Sequence, residues 1–198
     1  LVRDGWNGFN VLHTAAARVG ALDIGFTANG VDAILNHSGK LKVVFLAGAD
    51  DISTKALADT FTVYIGSHGD HGVAHADVIL PAAAYAEKPG TWVNMEGRVQ
   101  RGYRAVFAPG EAREDWSIYR ALSDVLGVTL PYDNIDALRA RIAAEWPHLG
   151  SEGLTASAWG DFGGDAKLEG GAIHLPVTNF YTTNAIARAS ETMAECVA

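Results

Sequence analysis

The sequence predicts an α/β fold: a Rossmann-like parallel-sheet unit with an irregular arm and a C-terminal helix. Three observations carry that prediction. Helical and strand patterns alternate between residues 8 and 65, the order expected of a layered α/β unit. Residues 41–47, Leu-Lys-Val-Val-Phe-Leu-Ala, are almost continuously apolar, which suits a strand buried on both faces of a parallel sheet. Gly20, Gly39, Gly127 and Pro147 stand at the ends of periodic stretches, where helix-terminating residues belong.

The elements follow in order. Residues 8–19 read as a helix with Phe9, Leu12, Ala16 and Val19 on one face, Asn7 as N-cap and Gly20 as its stop. A shorter helix carries Val31, Ile34 and Leu35 and ends at Gly39. The strand at 41–47 turns at Gly48-Ala49-Asp50-Asp51 into a helix from Ser53 to Thr60, and residues 61–65 form a second strand. Residues 77–80 are a third extended run, halted by Pro81, and extended segments at 91–94 and 100–106 flank Gly97. A helix from Glu114 to Leu126 turns Trp116, Tyr119, Leu122 and Val125 inward. Another, at 135–146, turns Ile135, Leu138 and Ile142 inward between a cap at Asn134 and a stop at Pro147. Between 148 and 171, seven glycines and few apolar anchors, chiefly Trp159 and Phe162, predict an irregular arm. From Asn184 to Val197 the pattern is helical again, with Ile186, Ala189, Met193 and Cys196 close to one face. The division this predicts is an α/β domain over 1–147 and an arm with a C-terminal helix over 148–198.

Composition bounds the function. With 48 % hydrophobic and 19 % charged residues the chain can form a core. A net charge of −8 argues against a nucleic-acid surface or a direct contact with anionic lipid. No apolar run approaches the ~18 residues of a membrane span. The single cysteine, Cys196, excludes an internal disulfide and a multi-cysteine zinc or iron–sulfur site built from this chain alone. The opening on Leu1, without methionine or signal peptide, is expected of a segment or mature form of a longer polypeptide.

Three clusters invite a site. His68, His71 and His75, with Asp70 beside them, have a spacing that would converge on a metal if the stretch were helical. Gly69 and Gly72 argue instead for a loop whose polar groups satisfy local backbone. The 48–51 loop follows a strand, where α/β sheets bind ligands. Its aspartates could accept from ribose hydroxyls, but they would repel a phosphate, and capping of the following helix is the favoured role. Arg98, Arg101 and Arg104 either grip an anionic cofactor or form surface ion pairs, and the sequence leaves that open. No nucleophile–base pair stands out. Cys196 is expected as a packed apolar group.

The run HADVILPAAAYAEKPGTWVNMEGRVQ, residues 75–100, resembles the molybdopterin oxidoreductase superfamily through Ala76 to Pro81, Glu87, Gly90, Thr91, Asn94, Glu96, Gly97, Arg98 and Gln100. EAREDWSIYRALSDVLG, residues 111–127, extends the match. GWNGFNVLHTAAARVGALDIGF, 5–26, and NFYTTNAIARASETMAEC, 179–196, resemble one branch of it: the large iron–sulfur subunit of respiratory complex I, NADH:quinone oxidoreductase.

That resemblance implies a C-terminal segment of such a subunit, a non-catalytic scaffold whose parent carries electrons from NADH toward quinone. The iron–sulfur clusters are then expected in a missing N-terminal part, with no catalytic, cofactor-binding or metal residue here. Other peripheral-arm subunits are the expected partners, with neither nucleic acid nor membrane insertion. The implied location is peripheral, on the cytoplasmic side of a bacterial inner membrane or the mitochondrial matrix side. The alternative is part of an active molybdopterin enzyme such as a formate dehydrogenase. Loops 48–51 and 66–75, with Arg98, would then line a pterin-dinucleotide site.

Overall fold

The computed structural model of the chain describes residues 2–8, 10–26, 30–36, 40–52, 54–156, 170–172 and 179–197. Two short strands, β1 (Val2–Arg3) and β2 (Trp6–Asn7), pair antiparallel. The first helix, α1, spans Arg18–Asp23. It replaces the helix expected at 8–19: residues 10–13 have no regular structure. Gly20 is inside this helix rather than behind it, because it is a contact point. A side chain there would meet Val93 at 3.5 Å. The stop is Gly25, at φ +103°. Its N–H donates to Leu22 O (3.1 Å) and that of Phe26 to Ala21 O (2.9 Å), the paired bonds of a left-handed helix end. A glycine ends the helix as expected, but five residues further on.

Helix α2 (Gly30–Asn36) forms as expected; Gly39 lies outside the described residues. Strands β3 (Val43–Ala47), β4 (Phe61–Gly66) and β5 (Val78–Pro81) make a parallel sheet in the order β3-β4-β5. Val43 pairs with Phe61, Ala47 with Ile65, and Val63 with Val78. The connection from β3 to β4 has a 3-10 turn at Thr54–Leu57 where a helix was expected. It closes where Thr60 N–H donates to Leu57 O (2.9 Å). A segment this short gains little from helix propagation, and burial of Leu57 fixes it instead.

One face of the sheet is closed. Val44, Leu46 and Tyr64 pack with Leu57, Ile34, Ile52 and Val73. On the other face Val63 and Ile65 meet Ala82, Leu80, Ile118 and Tyr119. That second cover is partial. Val43 and Phe45 are exposed, so β3 is not buried on both faces; Phe45 reaches only the edge of Tyr119, at 6.5 Å between ring centres.

An antiparallel sheet follows: β6 (Gly90–Val93), β7 (Arg98–Gly102) and, from far along the chain, β8 (Gly153–Leu154). Residues expected as extended at 103–106 are outside its strands. Val93, Val99 and Leu149 form its core with Val19, Ile142 and Trp146. Helix α3 (Asp115–Val125) ends at Gly127, and α4 (Ile135–Glu145) is capped by Asn134, whose Oδ1 accepts from Ala137 N–H at 2.8 Å. Val125 is 84 % exposed, not inward, because Ile118 and Tyr119 carry the contact of α3 with the sheet.

The tail is two helices, α5 (Ala185–Arg188) and α6 (Glu191–Glu195), not one. Ser190 breaks it: its Oγ accepts from Met193 N–H at 3.3 Å and so starts a new helix. Trp159 and Phe162 of the arm lie outside the described residues. Among the described residues no helix is long and apolar enough to cross a membrane.

Ile65 is fully buried in the central strand, between Ala47 and Leu80. Ile65→Ala is expected to cost about 2–5 kcal/mol. Val125→Ala, on the exposed end of α3, should stay within about 0.5 kcal/mol. Urea unfolding of the two variants beside the parent chain measures the contrast.

Candidate functional site

Ligands of open α/β sheets bind outside the carboxyl ends of the strands. Here the loop after β3 and the loop after β4 meet at that edge. Gly48 turns the first loop at φ +65°, and its N–H donates to Ile65 O at 2.7 Å. Asp50 then enters the interior and is 2 % exposed. Its Oδ2 accepts from the backbone N–H of Gly72 in the second loop, at 3.2 Å. The loops approach so closely that a side chain on Gly72 would lie 2.8 Å from the Tyr64 ring and 2.9 Å from Cβ of Asp50. The Tyr64 hydroxyl donates to His68 O at 2.6 Å. Burial, and then the fields of Asp50 and Asp70, raise its pKa against the opposing field of Arg188.

The counter-charge comes from the tail. Asn184 caps α5, accepting from Ala187 N–H at 2.9 Å, and α5 carries Arg188 into the crevice. Arg188 Nη2 donates to Asp50 Oδ1 at 2.9 Å, Nη1 to Asp51 Oδ1 at 3.2 Å and to Thr182 O at 3.4 Å, and Nε to Asp70 Oδ2. One planar guanidinium thus meets three carboxylates from two loops, a use of its fixed fork that a lysine cannot reproduce. Burial disfavours charge on Arg188, but the hydrogen bond to Asp70 and the three carboxylate fields outweigh it and raise its pKa. The hydrogen bond from Arg188 in turn lowers that of Asp70. Of the three carboxylates only Asp50 is buried, so loss of Arg188 would leave its charge without a cationic partner.

The residues singled out from sequence fare differently. Asp50 and Asp51 bind Arg188, and Asp50 is spent on the neighbouring loop rather than on a helix cap. His68 contributes its carbonyl to Tyr64, and its Nδ1 lies 3.0 Å from Ser67 Oγ. His71 is exposed beside Asp70, and His75 ends a 3-10 turn at Val73–His75. Among the described residues no group of three metal-ligating side chains converges. The three arginines of the β7 region disperse. Arg98 lies 3.7 Å from Glu96, Arg101 donates to Gly150 O at 3.1 Å, and Arg104 lies over the Phe107 ring at 4.5 Å. Strand alternation points Arg98 and Arg101 to opposite faces.

A separate cleft is lined by Lys88, Glu114, Asp115 and Arg139. Lys88 is paired with Asp115 and Glu114 accepts from Trp116 Nε1. Nε and Nη2 of Arg139 are buried without an acceptor. Arg188 was missed by sequence reasoning. The available signal was three aspartates in the loops after two neighbouring strands.

Comparison with known proteins gives two family models along the chain. The family model described as molybdopterin oxidoreductase matches residues 1–125. The chain belongs to that family. A second model, for the C-terminal region of an NADH-ubiquinone oxidoreductase subunit, matches residues 146–196. The crevice loops of this molybdopterin oxidoreductase family member therefore lie in the first match and Arg188 in the second. Among its relatives is the mitochondrial NADH-ubiquinone oxidoreductase 78 kDa subunit of Candida albicans, 44 % identical over 97 % of this chain and 28 % of the relative. The 75 kDa subunit of Reclinomonas americana is 46 % identical over 96 % of this chain and 28 % of the relative. The mitochondrial NADH dehydrogenase [ubiquinone] iron-sulfur protein 1 of Solanum tuberosum is 44 % identical over 100 % and 27 %. The chain spans just over a quarter of the length of these relatives.

Two outcomes test the crevice. Asp70 holds its charge below its ordinary pKa of 3.8. Its stabilising contribution is therefore complete above pH 3.8 and is lost as pH falls through the lowered folded value. The stability gap between the parent chain and Asp70→Asn, followed by urea unfolding, should close over that acidic range and stay constant toward neutrality. Gly72→Ala should destabilise by about 1–3 kcal/mol, since backbone and a ring must both shift; thermal unfolding measures it.

Proposed function

We propose that this chain is a non-catalytic scaffold segment of the peripheral arm of respiratory complex I, from the C-terminal part of its large iron–sulfur subunit. The parent carries electrons from NADH toward quinone through clusters in its N-terminal part. On this reading residues 1–147 are a Rossmann-like, molybdopterin-oxidoreductase-type domain, and 148–198 are the arm and C-terminal helices that hold it closed. Its partners are neighbouring peripheral-arm subunits, on the cytoplasmic or matrix side of the membrane.

The observation that carries the reading is Arg188 in the strand-end crevice: the chain's own tail satisfies the carboxylates that face a ligand there. An iron–sulfur cluster does not fit this segment, since it needs several thiolates and the chain has one cysteine, Cys196, exposed near the end of the tail. A pterin dinucleotide does not fit the crevice as built, because Asp50, Asp51 and Asp70 would meet its diphosphate with like charge. The exposed row Val43, Phe45 and Phe61 gives the scaffold an apolar face toward the rest of its assembly.

The test is elemental and pterin analysis of the purified parent complex. Iron without stoichiometric molybdenum, tungsten or pterin is the expected result. Stoichiometric pterin bound through this segment would instead support an active molybdopterin oxidoreductase of the formate dehydrogenase kind.

A further inference from the structure

The tail is attached in an unusual proportion. Neither α5 nor α6 contains a buried residue, so apolar burial contributes little to holding it down. Its caps are internal: Asn184 and Ser190 bond their own helices, and Asn179 bonds Thr182 and Tyr181. Among the described residues, the side-chain hydrogen bonds and ion pairs that join residues 179–197 to the α/β unit all run through Arg188. The receiving side is the opposite. Asp50 is buried, Gly72 has no room for a side chain, and Tyr64 is fixed by its bond to His68 O. A receptor built around the buried Asp50 thus faces a tail joined to it through one side chain.

We propose that the strand-end crevice is a binding site for an arginine-bearing helix end, which this chain fills in cis with a detachable strap, residues 179–197. Asp50, Asp51 and Asp70 each take one of the three nitrogens of the guanidinium. The contact is electrostatic and directional, so the strap leaves as a unit while the sheet beneath stays folded. The proposal rests on this geometry and not on membership of a respiratory complex, and its test can fail independently of that reading.

The experiment uses the full chain carrying Arg188→Ala and a synthetic peptide of residues 179–197, read by hydrogen exchange. Faster exchange is expected across 185–197 and at the Gly72 amide, with the amides of β3 and β4 still protected. Adding the peptide should restore protection at Gly72. The same peptide with Arg188→Ala should bind about tenfold or more weakly, the loss expected for a charge-assisted contact. If the variant chain does not fold, the parent chain carrying Asp70→Asn, compared at low and high salt, gives the same readout: strap exchange should rise with salt while sheet exchange does not. A strap that stays protected in Arg188→Ala, or peptides that bind equally with and without the arginine, overturns the proposal. So does strap exchange in Asp70→Asn that ignores salt.

Discussion

A buried carboxylate must find a positive charge or hydrogen-bond donors, and among the described residues Asp50 is the carboxylate for which that demand is strictest. It lies almost without solvent contact between two loops. The Gly72 amide meets one of its oxygens and Arg188 the other. That pairing adds a polar link between the loops after β3 and β4, beside the apolar packing of Ile52 and Val73 on the same cluster. The close approach at Gly72, the Tyr64 hydroxyl on His68 O and the Arg188 contact of the tail all surround Asp50. Such a pair is weak evidence for net stability; here it ties the C-terminal segment to the loops after β3 and β4.

The rest of the architecture is apolar and divides into parts. Val44, Leu46, Leu57 and Tyr64 close one face of the parallel sheet, while Val63, Ile65 and Ala82 begin to close the other. Val93, Val99 and Leu149 make a separate core beneath the antiparallel sheet. Leu149 comes from the far side of α4, so the late chain helps complete that core. The C-terminal region is thus joined to the earlier one by two mechanisms of different character. Leu149 and β8 supply burial and ladder bonds, and Arg188 supplies charge.

Family membership and electrostatics are compatible in an instructive way. A parallel sheet of the molybdopterin oxidoreductase kind offers a crevice at its carboxyl ends by construction. What that crevice accepts depends on its lining. Three aspartates make it a cation receptor, whatever the ancestry of the fold. The uncovered row on β3 and β4 leaves apolar surface in water, which is costly.

Much of the fold was legible because its signals are local. The strands near 43–47 and 61–66, the extended segments around Gly97, the Asn134 cap and the Gly127 stop each rest on a few adjacent residues. Failures arose where a local signal had two meanings: Gly20 looks like a helix end and is a packing point against Val93, and Ser190 looks like helix interior and is a cap. The sequence by itself determined the strands of the parallel sheet, the acidity and the single cysteine, because these are written in composition and short-range pattern. Only the tertiary structure decided that Asp50, Asp51 and Asp70 share Arg188, at sequence separations of 138, 137 and 118 residues. Pairing of charges depends on where the chain path brings them, and a path is set by the packing of whole elements.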